Sequence, residues 1–311
     1  MPVPTHTTSQ DATALVDLRA YARIKDLPLL AKTLAQGMLL GLHGSMARGT
    51  GIEFSQFRAY EPGDAPGKID WKLFARSDKY FIREAERESN INVWLVLDSS
   101  ASMLQVASKT DAQHAITKLD YARTLLATLG YLAQQQGDAV GLLTLSSTCL
   151  DYLPALSGAQ HWRRTLIKLA QIQGGGQVPE LGHVEHYLAK LQDNAIVIVV
   201  SDFYQHNQEI SAFMQRLNPA KTDIIAVQLE SDEERDFPFQ GQIRFFDVEK
   251  KQPIQVQAED VKTRYLQARQ HFSQQLETAL KQAQIAHVLA NIDRPMTETL
   301  WQFLRKRHTK R

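Results

Sequence analysis

Residues 92–103 read Asn92-Val93-Trp94-Leu95-Val96-Leu97-Asp98-Ser99-Ser100-Ala101-Ser102-Met103. The apolar run 93–97 is too short for a helix, and its branched and aromatic side chains suit a strand buried on both faces. It stops at a carboxylate, Asp98, and hydroxyls follow at alternate positions, Ser100 and Ser102. In an open α/β sheet, ligands bind at the carboxyl ends of the strands, which is where this loop falls. Hard oxygen donors on one side of a turn suit Mg²⁺ or Mn²⁺.

Working outward, further short apolar runs at 140–145, 195–200 and 224–229 alternate with helical patterns. That alternation predicts a doubly wound, mostly parallel α/β sheet with crossover helices. Ile116, Leu119, Ala122, Leu126, Leu129 and Ala133 recur at helical spacing until Gly137-Asp138 interrupts them. Trp162, Leu166 and Leu169 predict another helix, Val184, Leu188 and Leu191 a further one, and Phe213 with Leu217 the next. Residues 242–246 and 254–256 read as a hairpin at one sheet edge. A long helix carrying Val261, Tyr265, Ala268, Phe272, Leu276 and Leu280 on one stripe follows, then a strand at 285–289 and a terminal helix with Leu300, Phe303 and Leu304.

On the amino-terminal side, residues up to about 14 are rich in Thr, Ser and Pro and read as a disordered lead-in. Leu15, Leu18, Ala22, Leu29, Leu30 and Leu34 suggest helices, with Pro28 marking a break or a new helix start. The expected organisation is a tail with helices over 1–40, an irregular charged and aromatic lobe over 41–90, and the wound sheet with carboxyl-terminal helices over 91–311.

A second acid, Asp202 in Ser201-Asp202-Phe203, ends the run 195–200. If its strand neighbours the one ending at Asp98, the two carboxylates face each other across one rim. They would add negative charge without saturating an octahedral shell, leaving a position for a partner's carboxylate. Here the chain resembles the metal-ion-dependent adhesion site of von Willebrand factor A domains, whose pattern is Asp-x-Ser-x-Ser, a distant Thr and a distant Asp. The resemblance implies an Mg²⁺ or Mn²⁺ ion held by Asp98, Ser100, Ser102 and Asp202. It departs at the Thr, because residues 174–183 contain neither Thr nor Ser. Water or Glu180 can take that ligand's place, or the site stands empty; the sequence leaves these alternatives open.

The segment upstream carries a second resemblance. It holds Gly49-Thr50-Gly51-Ile52-Glu53-Phe54, Arg58-Ala59-Tyr60-Glu61-Pro62-Gly63-Asp64, Ile69-Asp70-Trp71-Lys72 and Ala75-Arg76 in that order. Together with residues 98–103 this is similar to the bacterial family known as domain of unknown function fifty-eight, over about residue 40 to the carboxyl terminus. Ala65 and Gly67 stand where that family usually has an acid and an Arg. The resemblance implies a von Willebrand factor A-like domain and, from gene neighbourhood, a MoxR-type AAA+ ATPase as partner. Arg58, Arg76 and Arg83 alternate with Glu53, Asp64 and Asp70 and read as structural staples of a loop-rich lobe.

Composition narrows the function. A formal charge of +1, from 35 basic and 34 acidic residues, gives no global field for nucleic acid or an anionic membrane. One cysteine, Cys149, can neither close an internal disulfide nor supply a Cys-based zinc site, which fits a reducing, cytoplasmic setting. No apolar run is long enough to span a bilayer, and no secretory signal is apparent. Residues 63–68 miss phosphate-loop spacing, and Gly49-x-Gly51 lacks the third glycine of a dinucleotide site. His183 and His186 read as a solvated helix face, and the basic residues 305–311 as complements to a helix dipole. The expectation is a protein-binding adaptor without enzymatic activity. A scaffold with a degenerate, metal-free site is the alternative, and a metal-dependent hydrolase, for which no general base is evident, ranks below both.

Overall fold

The structure is a computed structural model that describes residues 26–46, 57–59, 81–83, 91–107, 116–148, 150–191, 195–204, 209–217, 222–247 and 252–308. The lead-in and the helical pattern at Leu15, Leu18 and Ala22 lie outside the described residues, as do the motifs at 49–54, 60–64 and 69–76, Cys149 and the side chains of Arg58 and Arg83. In chain order the elements begin with α1 (Leu27–Met46), β1 (Phe57–Ala59) and β2 (Phe81–Arg83), the latter two forming a small antiparallel pair. Then come β3 (Asn92–Asp98), α2 (Lys118–Gln135), β4 (Ala139–Leu145), β5 (Tyr152–Leu156), α3 (Ala159–Gln171), α4 (Leu181–Leu188) and β6 (Ala195–Ser201). The chain continues through α5 (Glu209–Arg216), β7 (Thr222–Glu230), α6 (Asp232–Asp236), β8 (Gln242–Asp247) and β9 (Gln252–Gln257). It closes with α7 (Ala258–Gln282), β10 (Ala286–Asn291) and α8 (Met296–His308).

Among the described residues the main sheet has six strands in the order β10-β7-β6-β3-β4-β5, parallel except for β5. From β3 the chain crosses through α2 to β4 on one side; from β6 it crosses through α5 to β7 on the other. The connections therefore diverge between β3 and β6, which is the switch point where a doubly wound sheet opens a crevice at its carboxyl edge.

Alternation along β3 sends successive side chains into two cores, one on each face of the sheet. Val93, Leu95 and Leu97 pack with Leu125 and Leu126 of α2, with Leu169 of α3 and with Leu30 and Leu34 of α1. Trp94 and Val96 pack with Leu188 of α4, Phe213 of α5 and Leu276 of α7. Burial on both faces is why the strands read as unbroken apolar runs. Gly141 in β4 is required by this packing, since a Cβ there would stand 2.4 Å from the Trp94 ring.

Two expectations need correcting. β8 and β9 pair with each other as a separate two-stranded sheet, so the edges of the main sheet are β10 and β5. Strand β5 itself has no signal in the chain, because Pro154 interrupts it and its residues are partly exposed, features of an edge strand. The stripe on α7 is buried at Leu276 and Leu280, whereas Ala268 is exposed, so the helix meets the core mainly with its carboxyl-terminal half.

A candidate metal-ion site at the carboxyl rim of the sheet

Register brings the two acids together. In the β3–β6 pair Leu97 lies beside Val200, so Asp98 and the Ser201-Asp202 end emerge at the same rim. Asp98 and Asp202 are both fully buried. Asp98 accepts the Ser100 amide at 2.9 Å on one oxygen and the Ser201 hydroxyl at 2.6 Å on the other. Asp202 accepts the Tyr204 amide at 3.1 Å. Between these residues Phe203 is held at φ 62 with its ring buried, a left-handed turn that a bulky residue adopts only at a cost of about 1–3 kcal/mol. That turn folds the chain back so that the Tyr204 amide reaches Asp202.

The hydroxyls of Ser100 and Ser102 stand 3.2 Å apart on the loop that follows β3. Ser102 lies within a short 3₁₀ turn, Ala101–Leu104, in which Met103 is buried. The glycine-rich loop at 174–177 closes the rim from the side. Gly175 donates its amide to the Ser99 carbonyl at 2.9 Å, and Ala101 donates to the Gly176 carbonyl at 2.9 Å. This is the segment expected to supply a Thr, and it presents backbone instead. The hydroxyls beside it come from the end of β4, where Ser146 and Thr148 both donate to the Gly175 carbonyl. Gly176 sits at φ +65, and a Cβ there would meet the Ser147 hydroxyl at 2.4 Å, so glycine permits this close approach. Glu180 is exposed at the start of α4.

Burial pushes the Asp98 carboxyl up to about 6, with the Asp202 charge adding to the rise and the bonds from Ser201 and Ser100 opposing it. Two buried carboxylates that repel each other, beside two hydroxyl oxygens, form a donor set whose charge a cation would offset. The residues present therefore fit a hard divalent ion. No group of three or more His, Cys, Asp and Glu with metal-ligand arrangement occurs among the described residues. His183 and His186 are exposed on α4.

A cation is already built into this rim. The Lys118 ammonium, fully buried, lies 3.2 Å from Asp202 and 2.6 Å from Glu234. It also stands over the Tyr204 ring at 5.5 Å from the centroid. Burial works against its charge, but Asp202 and Glu234 outweigh burial and hold its pKa above the ordinary lysine value.

Residues 56–277 match the family described as "Protein of unknown function DUF58". This chain belongs to that family. Curated relatives include uncharacterized proteins of Mycobacterium bovis and Mycobacterium tuberculosis, each 24% identical over 251 residues, which is 80% of this chain and 77% of theirs. Among solved structures, the conserved hypothetical protein BatB of Bacteroides thetaiotaomicron is 15% identical over 70% of this chain and 99% of its own, with TM-score 0.45. An aerotolerance-related membrane protein from Bacteroides fragilis is 16% identical over 70% of this chain and 99% of its own, with TM-score 0.42. The VWA domain of SpRpn10 is 9% identical over 68% of this chain and 94% of its own, with TM-score 0.36. Likenesses at those scores carry no functional information. Among the described residues of this DUF58 chain, no helix is long and apolar enough to cross a membrane.

In this DUF58 chain β3 and β6 are neighbours, so Asp98 and Asp202 stand at one rim, with Ser100 and Ser102 on the loop that follows β3. Lys118, Glu234 and Ser201 are additions from the tertiary structure. One signal for Lys118 does exist in the chain: it follows Thr117 at the first position of a helix, where a cation opposes the macrodipole. Glu234 is likewise marked as the partner of Ser231 in a capping box.

Proposed function

We propose that this chain is a non-enzymatic, cytoplasmic protein-binding adaptor whose β3–β6 rim takes an Mg²⁺ or Mn²⁺ ion and, through it, an Asp or Glu of a partner protein. Ser100, Ser102, Asp98 and Asp202 would hold the ion. When bound, it supplies a hard acceptor position for an incoming carboxylate. What supports the reading is the meeting of two fully buried carboxylates and two hydroxyls at the switch point of the sheet. Burial and then the Asp202 charge push the Asp98 carboxyl up to about 6, and a cation beside it would favour its charged form. The chain's own residues orient the set: Ser201 and the Ser100 amide fix the Asp98 oxygens, and the 174–177 loop fixes the backbone between Ser99 and Ala101. A MoxR-type AAA+ ATPase is the partner class we propose, on the family resemblance.

Calorimetric titration with Mn²⁺ tests the ion, and binding to a MoxR-type ATPase in Mn²⁺ or in EDTA tests the partner. The expected result is saturable Mn²⁺ binding that Asp98→Ala abolishes, together with ATPase binding lost in EDTA and in the same variant. Absence of Mn²⁺ binding at millimolar concentration rejects the ion. A second reading, a metal-free scaffold, is favoured by one observation, the Lys118 ammonium already paired with Asp202. It expects wild-type melting to be indifferent to Mn²⁺.

A further inference from the structure

Lys118 occupies a position that physical chemistry disfavours twice. A fully buried ammonium gives up its hydration, and at the first position of α2 it faces the positive end of the helix dipole. Its own helix offers no relief, because Asp120 in that first turn is engaged by Thr117 and by Arg123, the latter at 2.6 Å. The compensation comes from other elements: Asp202 after β6 at 3.2 Å and Glu234 on α6 at 2.6 Å. Glu234 is fixed for the task, since its second oxygen accepts the Ser231 amide at 2.8 Å in the capping box of α6. Tyr204 covers the ammonium and stacks on Phe272 of α7, with ring centroids 4.9 Å apart. Asp202 therefore has one oxygen on the Tyr204 amide and the other on an ammonium.

We propose that Lys118 is a positioning residue that sets the cation affinity of the rim, its ammonium and a divalent ion competing for the Asp202 carboxylate. The inference rests on the functional reading above only in taking Asp202 as the ligand the two cations share. Charge gives the arrangement a use. Asp98, Asp202 and Glu234, when ionised, carry three negative charges against the one positive charge of Lys118, and a divalent ion neutralises the remainder. Without Lys118 the same set holds a divalent ion more tightly but stays net negative with the ion in place, which repels an incoming carboxylate. The lysine weakens ion binding in the free protein and leaves a neutral rim that a partner's acid can approach.

The test is calorimetric titration of Mn²⁺ into full-length wild type, Lys118→Met and Glu234→Gln, with Lys118→Gln in place of the first where it does not fold. Removing the ammonium is expected to tighten Mn²⁺ by about tenfold or more. Glu234→Gln is expected to weaken it, because the ammonium then leans on Asp202 alone. A purely structural Lys118 would lower stability in both variants and would not move affinity in opposite directions. Tightening in the lysine variants supports the proposal even where wild type binds no ion, an outcome that rejects the ion reading of the wild type alone. Equal or weaker binding by a folded lysine variant, or tighter binding by Glu234→Gln, overturns the proposal while leaving the ion reading intact. Absence of Mn²⁺ binding in every folded variant overturns both.

Discussion

At the scale of one residue, Asp98 is a buried acid whose ionised form opposes stability. Its carboxyl has an ordinary value of 3.8 and is pushed up to about 6, first by burial and then by Asp202. The folded state thus keeps a proton that the unfolded chain gives up. The stability this contributes is complete below the unfolded value and is lost as pH rises through the folded one. Above that window the protein carries a buried charge at a net cost of about 2 to 3 kcal/mol, at 1.4 kcal/mol for each pK unit. Asp98→Asn keeps an acceptor for the Ser100 amide and removes the charge. In EDTA at about pH 7.5 the variant is expected to be more stable by that order, with the gap closing near about pH 4. Urea melts at the two pH values measure it, and equal stability at the higher pH would falsify the assignment of the cost to Asp98.

At the scale of elements, the start of α2 decides where Lys118 points. Thr117 accepts the Asp120 amide at 3.0 Å, and Asp120 accepts the Thr117 amide at 3.1 Å. This reciprocal cap ends the preceding segment and opens the helix at Lys118. Thr117→Ala removes one arm of the cap and is expected to cost about 1 kcal/mol in thermal or urea unfolding. It is also expected to loosen the Lys118–Asp202 pair, read as faster hydrogen exchange of the Tyr204 amide. Unchanged exchange at Tyr204 would show that Asp202 and Glu234, without the cap, suffice to place the ammonium. The short α6 works in the same way, since a single glutamate both caps the helix and receives Lys118. Two helix starts are thus tied to one strand end by one buried lysine.

At the scale of the whole molecule, α1 is part of the principal core although it precedes the sheet in the chain. Leu34 is fully buried and, with Leu30 and Ala31, packs in one cluster with Leu125 and Leu126 of α2 and Leu300 of α8. Leu34→Ala should therefore cost about 2–5 kcal/mol, and the loss should appear within a single unfolding transition. A separate early transition in calorimetry, with the main one unmoved, would mean that α1 melts independently of the sheet.

Much of the architecture is written in local pattern. Strands β3, β4, β6 and β7 are legible as short apolar runs because both faces of a parallel sheet are buried, and the helices because one stripe of each meets that sheet. The loop from Asp98 to Ser102 is legible because its carboxylate and the two alternate hydroxyls fall within five consecutive residues. Only the tertiary structure decides which strands are neighbours, and hence that Asp202, over a hundred residues away, shares the rim with Asp98. It alone decides the cation at that rim as well, because Lys118 gains its meaning from two carboxylates on distant elements. Periodicity reports what a segment buries against the average core, whereas a charge that survives burial depends on specific partners, and partners are assigned by topology.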